Sequence, residues 1–265
     1  MARAPIGCAN WPTLSFSVLL DQAMKQRLRL DVLLVERGLV ESREKGQALI
    51  LAGEVFVNGQ KVDKPGHTVA PDSKIEVTEQ PRYVGRGGLK LEAALDHFSI
   101  DVAGKVCLDI GSSTGGFTDC LLQRGATRVY AIDVGTGQLD WKLRNDPRVV
   151  VQEQINARHL GRNEVPEPID LAVCDVSFIS ITMILPALPN VLAKTAEMVI
   201  LVKPQFELER HQVGKGGIIR EPALHQQACR RVDEAVKQLG FQTAIIPSPI
   251  LGAEGNQEFL LYARH

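Results

Sequence analysis

The sequence predicts an α/β protein in which a small N-terminal α+β domain precedes a doubly wound, mainly parallel sheet. Three observations lead to this fold class. From residue 105 onward, short apolar segments alternate with helical patterns, which is typical of a parallel sheet with helices on both faces. A glycine-rich turn from Gly111 to Phe117 joins the first of these strands to a helix. Residues 25–80 instead combine two helical patterns with several short strands, as in a separate compact module.

Length, charge and cysteine content narrow the class of protein. The chain has 265 residues and a formal net charge of −1, so any surface that binds nucleic acid must be a local basic patch. No segment reaches the ~20 apolar residues of a membrane span. We therefore expect a cytoplasmic protein with no membrane partner, no metal and no disulfides. The cysteines are scattered and odd in number, which is typical of reduced thiols: Cys8, Cys107, Cys120, Cys174 and Cys229.

Residues 1–24 differ in composition from the rest and show no clear period. Met24 stands directly before the first well-patterned segment. We therefore expect residues 1–24 to be a poorly ordered N-terminal extension that carries no function.

Cap and turn residues place the elements of the small domain over residues 25–80. A helical pattern in the segment 27–38 stops at Gly38, and Ser42 is suited to cap a second helix that ends at Gly53. The pair Asn58-Gly59 lies between two alternating segments and predicts a β-hairpin. A further strand over residues 74–78 closes the module.

The two helices of this domain carry an unusual arrangement of cations. Arg43 and Lys45 lie in the first turn of the second helix, where the helix dipole disfavours positive charge. Their placement is favourable if an anion docks at that helix end. Arg27, Arg29 and Arg37 could extend the patch. The alternative is an ordinary solvated helical face.

A resemblance favours the anion-binding patch over the solvated face. It is carried by residues 29–62, RLDVLLVERGLVESREKGQALILAGEVFVNGQKV. This segment resembles the αL RNA-binding motif of a small-subunit ribosomal protein and of many pseudouridine synthases. The resemblance implies that the small domain contacts RNA through Arg27, Arg29, Arg37, Arg43 and Lys45.

The larger domain, residues 87–265, follows a linker over residues 81–86 in which Tyr83 is expected to be exposed. Its first helix, residues 86–98, has Leu91 and Leu95 on an apolar face, with Lys90 off that face. We predict strands at 105–110, 128–133, 148–152, 169–174, 197–202, 241–246 and 257–262, and helices at 116–124, 137–144, 180–193 and 221–239. The basic, glycine-rich loop 210–220 is predicted to be a mobile cover over the substrate site.

Polar residues that follow the predicted strands meet at one edge of the sheet. In an open parallel sheet, ligands bind outside the carboxyl ends of the strands. Asp133 follows the second strand, Asp175 the fourth and Lys203 the fifth. We expect the last strand to run antiparallel, which places Glu258 at the same edge.

The glycine-rich turn opens at this edge and leaves backbone N–H groups free for a nucleotide-like ligand. Gly111 is followed by Gly115 and Gly116, which differs from the dinucleotide fingerprint G-x-G-x-x-G. The spacing therefore disfavours an NAD-dependent oxidoreductase, which remains an alternative to be tested by cofactor binding.

The strand-end residues allow more than one interpretation. Asp133 is placed to accept hydrogen bonds from ribose hydroxyls, although many such residues only cap a turn. Asp175 and Lys203 could form a simple ion pair at the sheet edge. Alternatively, burial or a second cation disfavours the charge on Lys203, which then acts as a base. Lys90 could be that second cation.

Six segments resemble the TlyA family of RNA ribose 2′-O-methyltransferases, often named haemolysin A, whose catalytic domain is a Rossmann-like, FtsJ-like methyltransferase sheet. They are YVGRGGLKLEAAL, CLDIGSSTGGFTDCLLQRGA, VYAIDVGTGQLDWKLR, CDVSFIS, LVKPQFE and GNQEFL. Together with the small domain they cover nearly the whole chain after residue 24. A serine is common in relatives at the position of Gly85, and this difference leaves only the conformation of the linker open.

The resemblance implies a catalytic tetrad of Lys90, Asp175, Lys203 and Glu258. Lys203 would be the base, Lys90 would hold the ribose or phosphate, Asp175 would orient Lys203, and Glu258 would orient Lys90 or the hydroxyl. The implied cofactor is S-adenosylmethionine, with no metal. Its implied contacts are Gly111, Ser112, Ser113, Thr114, Gly115, Gly116, Phe117, Asp133, Val134 and Asn156.

The implied reaction is methylation of a ribose 2′-OH, as in the cytidines that relatives modify, and the implied partner is ribosomal RNA or a ribosomal subunit. Such a transfer is mainly a positioning task, but the 2′-OH needs a base. Two other classes remain open. The protein could be a non-catalytic RNA-binding or ribosome-assembly factor, or a membrane-active haemolysin as the family name suggests.

Overall fold

A computed structural model describes residues 27–78, 81–252 and 254–265 of the chain. The described residues divide into two compact units, with the boundary between residues 80 and 81 of the chain. The extension expected over residues 1–24 lies outside the described residues. The predicted fold class is confirmed: the second unit is an α/β domain around a mostly parallel sheet, and the first is a small α+β module.

In the N-terminal unit, two helices pack on short strands. Ser42 caps the second helix as predicted, because its Oγ accepts a hydrogen bond from the backbone N–H of Lys45 at 3.2 Å. Gly53 ends that helix with a left-handed φ of 72°. The predicted hairpin at Asn58-Gly59 is present. The elements are β1 (Leu28–Arg29), α1 (Leu30–Glu36), α2 (Arg43–Ala52), β2 (Val55–Val57), β3 (Gln60–Val62), β4 (Thr68–Val69) and β5 (Ile75–Val77).

The C-terminal unit is built around a seven-stranded sheet with strand order β11-β12-β10-β9-β6-β7-β8. Apolar side chains fill a layer on each face of this sheet. Its strands are β6 (Val106–Ile110), β7 (Arg128–Ile132), β8 (Val149–Gln152), β9 (Ile169–Cys174), β10 (Leu192–Val202), β11 (Gln242–Pro247) and β12 (Phe259–Arg264). Its helices are α3 (Gly87–His97), α4 (Gly116–Gln123), α5 (Trp141–Arg144), α6 (Pro204–Glu207) and α7 (Pro222–Gln238).

The strand directions bring the polar residues to one edge, as the sequence predicts. Strands β6, β7, β8, β9 and β10 are parallel, whereas β12 is antiparallel to β10. Val202 at the carboxyl end of β10 pairs with Phe259 at the start of β12. Lys203, directly after β10, and Glu258, directly before β12, therefore lie side by side at this edge.

Three details of the sequence prediction are wrong. Residues 180–193 form two short 3₁₀ turns, Ile181–Met183 and Leu185–Asn190, rather than a helix, because Pro186 and Pro189 have no N–H to continue helical hydrogen bonding. The helix predicted at 137–144 is reduced to Trp141–Arg144, because Gly137 has a φ of 68° and Asp140 caps the helix. Tyr83 is only 3% exposed, since it packs under α3 in the core of the second unit.

The loop 210–220 contains two 3₁₀ turns, Arg210–Gln212 and Lys215–Gly217. Asn256 anchors it, because Asn256 Oδ1 accepts from the Ile219 N–H at 2.8 Å and Nδ2 donates to the Gly217 carbonyl at 2.8 Å. Asn256 is only 1% exposed. Movement of this loop over the site remains a prediction.

Candidate active site

Two cavities lie side by side at the carboxyl edge of the sheet. The first, here called the lysine cavity, has a volume of about 330 Å³. It is lined by the glycine-rich turn and by charged side chains on α3, directly after β9 and β10, and directly before β12. The second, here called the Asp133 cavity, has about 400 Å³ and is lined mostly by apolar side chains. The two cavities share part of their walls: Gly111, Ser113, Asp175, Ser177 and Phe178. They can therefore hold two parts of one ligand, or two ligands in contact.

All four residues expected to form the tetrad line the lysine cavity. Lys90 Nζ lies 2.5 Å from Glu258 Oε2, and both side chains are almost fully buried. Lys203 Nζ lies 2.6 Å from Asp175 Oδ1 and also donates to Ser177 Oγ at 2.8 Å. The cavity thus holds two lysine–carboxylate pairs, one buried and one facing the opening. Lys90 is buried although it lies off the apolar face of its helix, because Glu258 neutralises its charge.

Backbone conformation explains the glycines of the turn. Gly111 has a φ of 81°, and a Cβ there would lie 2.5 Å from the Asp175 carbonyl oxygen. Gly115 has a φ of 99°, and a Cβ would meet the Leu143 side chain. At both positions a Cβ would collide with atoms that are already in place, so only glycine allows this backbone conformation and the close approach to Asp175 and Leu143.

The residues expected to contact a cofactor divide between the two cavities. Asp133, Val134 and Asn156 line the Asp133 cavity. The Asp133 carboxylate already accepts from the backbone N–H groups of Ser113 at 2.9 Å and Gly135 at 2.8 Å, so it also fixes the turn. Gly115 lines neither cavity; its left-handed backbone conformation shapes the turn. The turn residues that line the lysine cavity are Gly111, Ser112, Ser113, Thr114, Gly116 and Phe117.

Sequence reasoning overlooked the loop that follows Asp175. Ser177 contacts Lys203, and Phe178 is 90% exposed with a φ of 66°, which is strained for a bulky residue. Gln205 also lines the lysine cavity. The signal that could have found these residues is their position directly after strand ends, where ligands bind.

Asp109 is another residue that sequence reasoning did not single out. It lies fully buried in β6 beneath the turn, where the Thr118 hydroxyl donates to its Oδ2 at 2.6 Å. Within the described residues, its Oδ1 has no hydrogen-bond partner. Burial raises the pKa of Asp109 to about 7, and the charges of Asp175 and Asp133 add to this effect.

We expect Asp109 to make stability depend on pH. Because its folded pKa lies above its ordinary value of 3.8, the folded state holds the proton more tightly, and stability falls as pH rises from 3.8 to about 7. Asp109→Asn removes this titration, so its gain in unfolding free energy over the wild type should be about 2–3 kcal/mol larger at about pH 8 than at about pH 5. Denaturant unfolding in a Trp11→Phe background leaves Trp141 to report on the second unit. An equal difference at both pH values would contradict the prediction.

The five cations expected to contact RNA lie on the N-terminal unit, and four of them have internal partners. Arg29 and Arg43 both bind the carboxylate of Asp31, which is fully buried. These guanidinium groups hold the pKa of Asp31 well below its usual range, although burial opposes them. Arg27 donates to the Thr68 carbonyl, and Arg37 donates to the carbonyls of residues 71 and 73. Lys45 is exposed on α2. Four of the five cations therefore help to hold the unit together. Arg29 and Arg43 are nevertheless half exposed.

Two features are absent from the described residues. Among them, no group of three or more histidine, cysteine or acidic side chains is arranged to hold a metal ion. No helix in the described part of the chain is both long enough and apolar enough to span a bilayer.

Comparison with known proteins defines the class first. Residues 83–265 match the FtsJ-like methyltransferase model, and residues 28–75 match the S4 domain model. The solved structure of a hemolysin-named protein from Streptococcus thermophilus is 44% identical, covers 90% of this chain and 88% of its own, and superposes with a TM-score of 0.68.

Two relatives narrow the class further. YqxC of Bacillus subtilis is 49% identical over 88% of this chain and 84% of its own length. The 16S/23S rRNA (cytidine-2'-O)-methyltransferase TlyA of Mycobacterium tuberculosis is 46% identical over 91% of both chains. The chain therefore belongs to the FtsJ-like methyltransferases and, within them, to the TlyA family, some members of which are named hemolysin A.

Proposed function

We propose that the protein transfers a methyl group from S-adenosylmethionine to the ribose 2′-OH of a cytidine in ribosomal RNA. The observation that carries the proposal is the pairing of two lysines with two carboxylates in one cavity beside the glycine-rich turn. Methyl transfer to a hydroxyl needs a base and accurate positioning, and it needs no metal ligand set. The cytidine and ribosomal RNA follow from what the named relatives modify.

The two cavities fit S-adenosylmethionine. In this proposal, the amino-acid part of the cofactor lies in the lysine cavity beside the backbone of the turn, which Gly111 brings close to Asp175. Asp133 would accept hydrogen bonds from the ribose hydroxyls of the cofactor. Val134 and Asn156 lie beside the apolar space that would hold adenine. When bound, S-adenosylmethionine supplies a methyl carbon attached to a positively charged sulfur.

In this proposal, Lys203 removes the proton of the 2′-OH as the oxygen attacks. Asp175 holds the resulting ammonium group through the 2.6 Å contact. Lys90 binds the ribose or a neighbouring phosphate at the inner wall of the cavity, and Glu258 fixes its position. The buried pair and the pair at the opening thus have separate roles, binding and proton removal.

The N-terminal unit would supply affinity for RNA. We propose that its S4 domain contacts phosphates through the basic residues predicted from the sequence, with Arg29 and Arg43 held in place by Asp31. The 2′-OH distinguishes RNA from DNA, and this agrees with a ribose-directed site. We place this activity in the cytoplasm, where ribosomal RNA is accessible.

The proposal is tested with purified full-length protein, labelled S-adenosylmethionine and three substrates: free rRNA, the small subunit and the large subunit. We expect label in a cytidine 2′-O-methyl group, and a matching difference between rRNA methylation maps of cells with and without the protein. Binding of rRNA without transfer would favour a non-catalytic assembly factor. Binding of NAD instead of S-adenosylmethionine would favour an oxidoreductase, and lysis of membranes by the cofactor-free protein would favour a haemolysin.

Phe178 offers a test of how the substrate base is held. Its exposed ring, carried on a backbone with a positive φ, lines both cavities and lies 5.4 Å from the Phe206 ring, which suits stacking on an unpaired base. Stacking of one base contributes about 1–3 kcal/mol, so Phe178→Ala should lower kcat/KM for rRNA about tenfold or more. Phe178→Tyr should retain activity. Trp141→Ala removes an aromatic ring that is 68% exposed outside the cavity linings and is the matched control. Equal losses in Phe178→Ala and Trp141→Ala would contradict this role.

A further inference from the structure

The ammonium group of Lys203 has two partners among the described residues, and only one of them belongs to the tetrad. Asp175 Oδ1 lies at 2.6 Å, and Ser177 Oγ accepts a hydrogen bond from Nζ at 2.8 Å. Ser177 is exposed and lines both cavities, two residues after the aspartate. It therefore contacts the proposed base from the side of the cavity opening.

The number of hydrogens on a lysine amine makes the second contact significant. A neutral amine has two N–H groups and one lone pair in a tetrahedral arrangement, whereas the ammonium form has three N–H groups. A base requires the lone pair to face the incoming hydroxyl. The 2.6 Å contact with Asp175 Oδ1 is an ion pair without hydrogen-bond geometry, so by itself it leaves the amine free to rotate about the Cε–Nζ bond and turn its lone pair away. The hydrogen bond to Ser177 Oγ removes that freedom.

We infer that Ser177 is a positioning residue for Lys203. The hydroxyl of Ser177 accepts one N–H and the Asp175 carboxylate forms an ion pair with Nζ, so that the remaining position on Nζ faces the cavity where a ribose hydroxyl would lie. This role rests on the proposed function, in which Lys203 takes the proton. The reaction then moves one proton from the 2′-oxygen to Nζ, while the oxygen bonds to the methyl carbon and the broken C–S electron pair stays on sulfur.

The loop that carries Ser177 is anchored firmly enough for this role. The Glu207 carboxylate, which is 3% exposed, accepts from the Ile181 N–H at 2.9 Å and from the Ser180 hydroxyl. Arg231 donates to the Glu207 carbonyl at 2.8 Å and connects the anchor to α7. Since Glu207 belongs to α6, which starts directly after Lys203, the loop of the serine and the segment of the lysine are fastened together.

The experiment compares Ser177→Ala and Ser177→Thr with the wild type in single-turnover methyl transfer to rRNA. We expect Ser177→Ala to lower the transfer rate about tenfold, less than the about 10²–10⁴-fold contribution of positioned proton transfer because the base itself remains, with unchanged affinity for S-adenosylmethionine and for rRNA. Ser177→Thr keeps the hydroxyl and should restore most of the rate. Thr195→Ala, which removes an exposed hydroxyl of β10, is the matched control. In a Lys203→Ala background, Ser177→Ala should cause no further loss, because the serine acts only through the lysine.

Two outcomes of this comparison would overturn the inference. One is an unchanged rate in Ser177→Ala, and the other is an equal loss in Ser177→Thr. If the wild type itself transfers no methyl group, the proposed function fails, and the position of the amine is then read by NMR. In the full-length protein labelled with ¹⁵N-lysine, the Nζ resonance that Lys203→Ala removes should shift in Ser177→Ala. An unchanged resonance would show that the serine does not hold the amine.

Discussion

Replacing Lys203 with alanine is expected to abolish methyl transfer to rRNA while leaving the affinity for S-adenosylmethionine largely unchanged. The variant removes the proposed base, and positioned proton transfer contributes about 10²–10⁴-fold to such rates. The turn and Asp133, which are proposed to hold the cofactor, keep their contacts. The measurement is single-turnover transfer to rRNA, together with calorimetric titration of the cofactor.

Lys194 supplies the control for this variant. It is an exposed lysine near the start of β10, the strand that precedes Lys203, and it lies away from the carboxyl edge. Lys194→Ala should retain wild-type transfer, so that loss of one positive charge is separated from loss of the base. Turnover above one hundredth of the wild-type rate in Lys203→Ala would remove Lys203 from the role of base.

The meeting of Asp175, Lys203 and Glu258 at one edge of the sheet could be predicted from the sequence because strand ends are strong signals. A charged residue directly after a run such as Val199–Val202 must lie at the edge of the sheet, and parallel strands end at the same edge. Glu258 required one more step, the antiparallel direction of β12, and the structure has that direction. The resemblance to a family assigned roles to these residues, whereas strand geometry explains why they meet.

Residues in loops were harder to predict, for physical reasons. The contact between Ser177 and Lys203 depends on a loop conformation with a positive φ at Phe178 and on the anchor at Glu207. Neither feature produces a periodic pattern in the sequence. The wrongly predicted helix over residues 180–193 has a different origin. Its apolar spacing is helical, but its prolines lack the N–H groups that a helix needs.

The basic patch shows another limit of charge patterns. The sequence placed Arg43 as a free cation in the first turn of a helix and Arg29 as an extension of the same patch, but each binds the buried carboxylate of Asp31. A sequence gives the number of charges and not their partners. An arginine with five N–H groups can hold an aspartate and still face a phosphate, so the two roles are compatible.

The buried pair of Lys90 and Glu258 gives the second large expected effect, in which stability and activity respond differently. Both side chains are less than a tenth exposed. Removing one partner leaves the other charge buried and uncompensated, so Lys90→Met and Glu258→Leu should each lower the unfolding free energy by about 3–5 kcal/mol. The double variant Lys90→Met/Glu258→Leu replaces both charges with apolar groups of similar size, and it should lose much less than the sum of the two.

Methyl transfer should be lost in all three variants, since Lys90 is proposed to bind the substrate. The free energies are measured by denaturant unfolding in the Trp11→Phe background, with Trp141 as reporter. Lys237→Met, which breaks an exposed pair with Asp233 on α7, should cost less than about 1 kcal/mol and is the matched control. Additive losses in the double variant would show that the two charges do not stabilise each other. A stable and active double variant would show that the chemistry does not need the pair. A stable and inactive one would mean that this buried ion pair contributes to the chemistry of the site rather than to the stability of the fold.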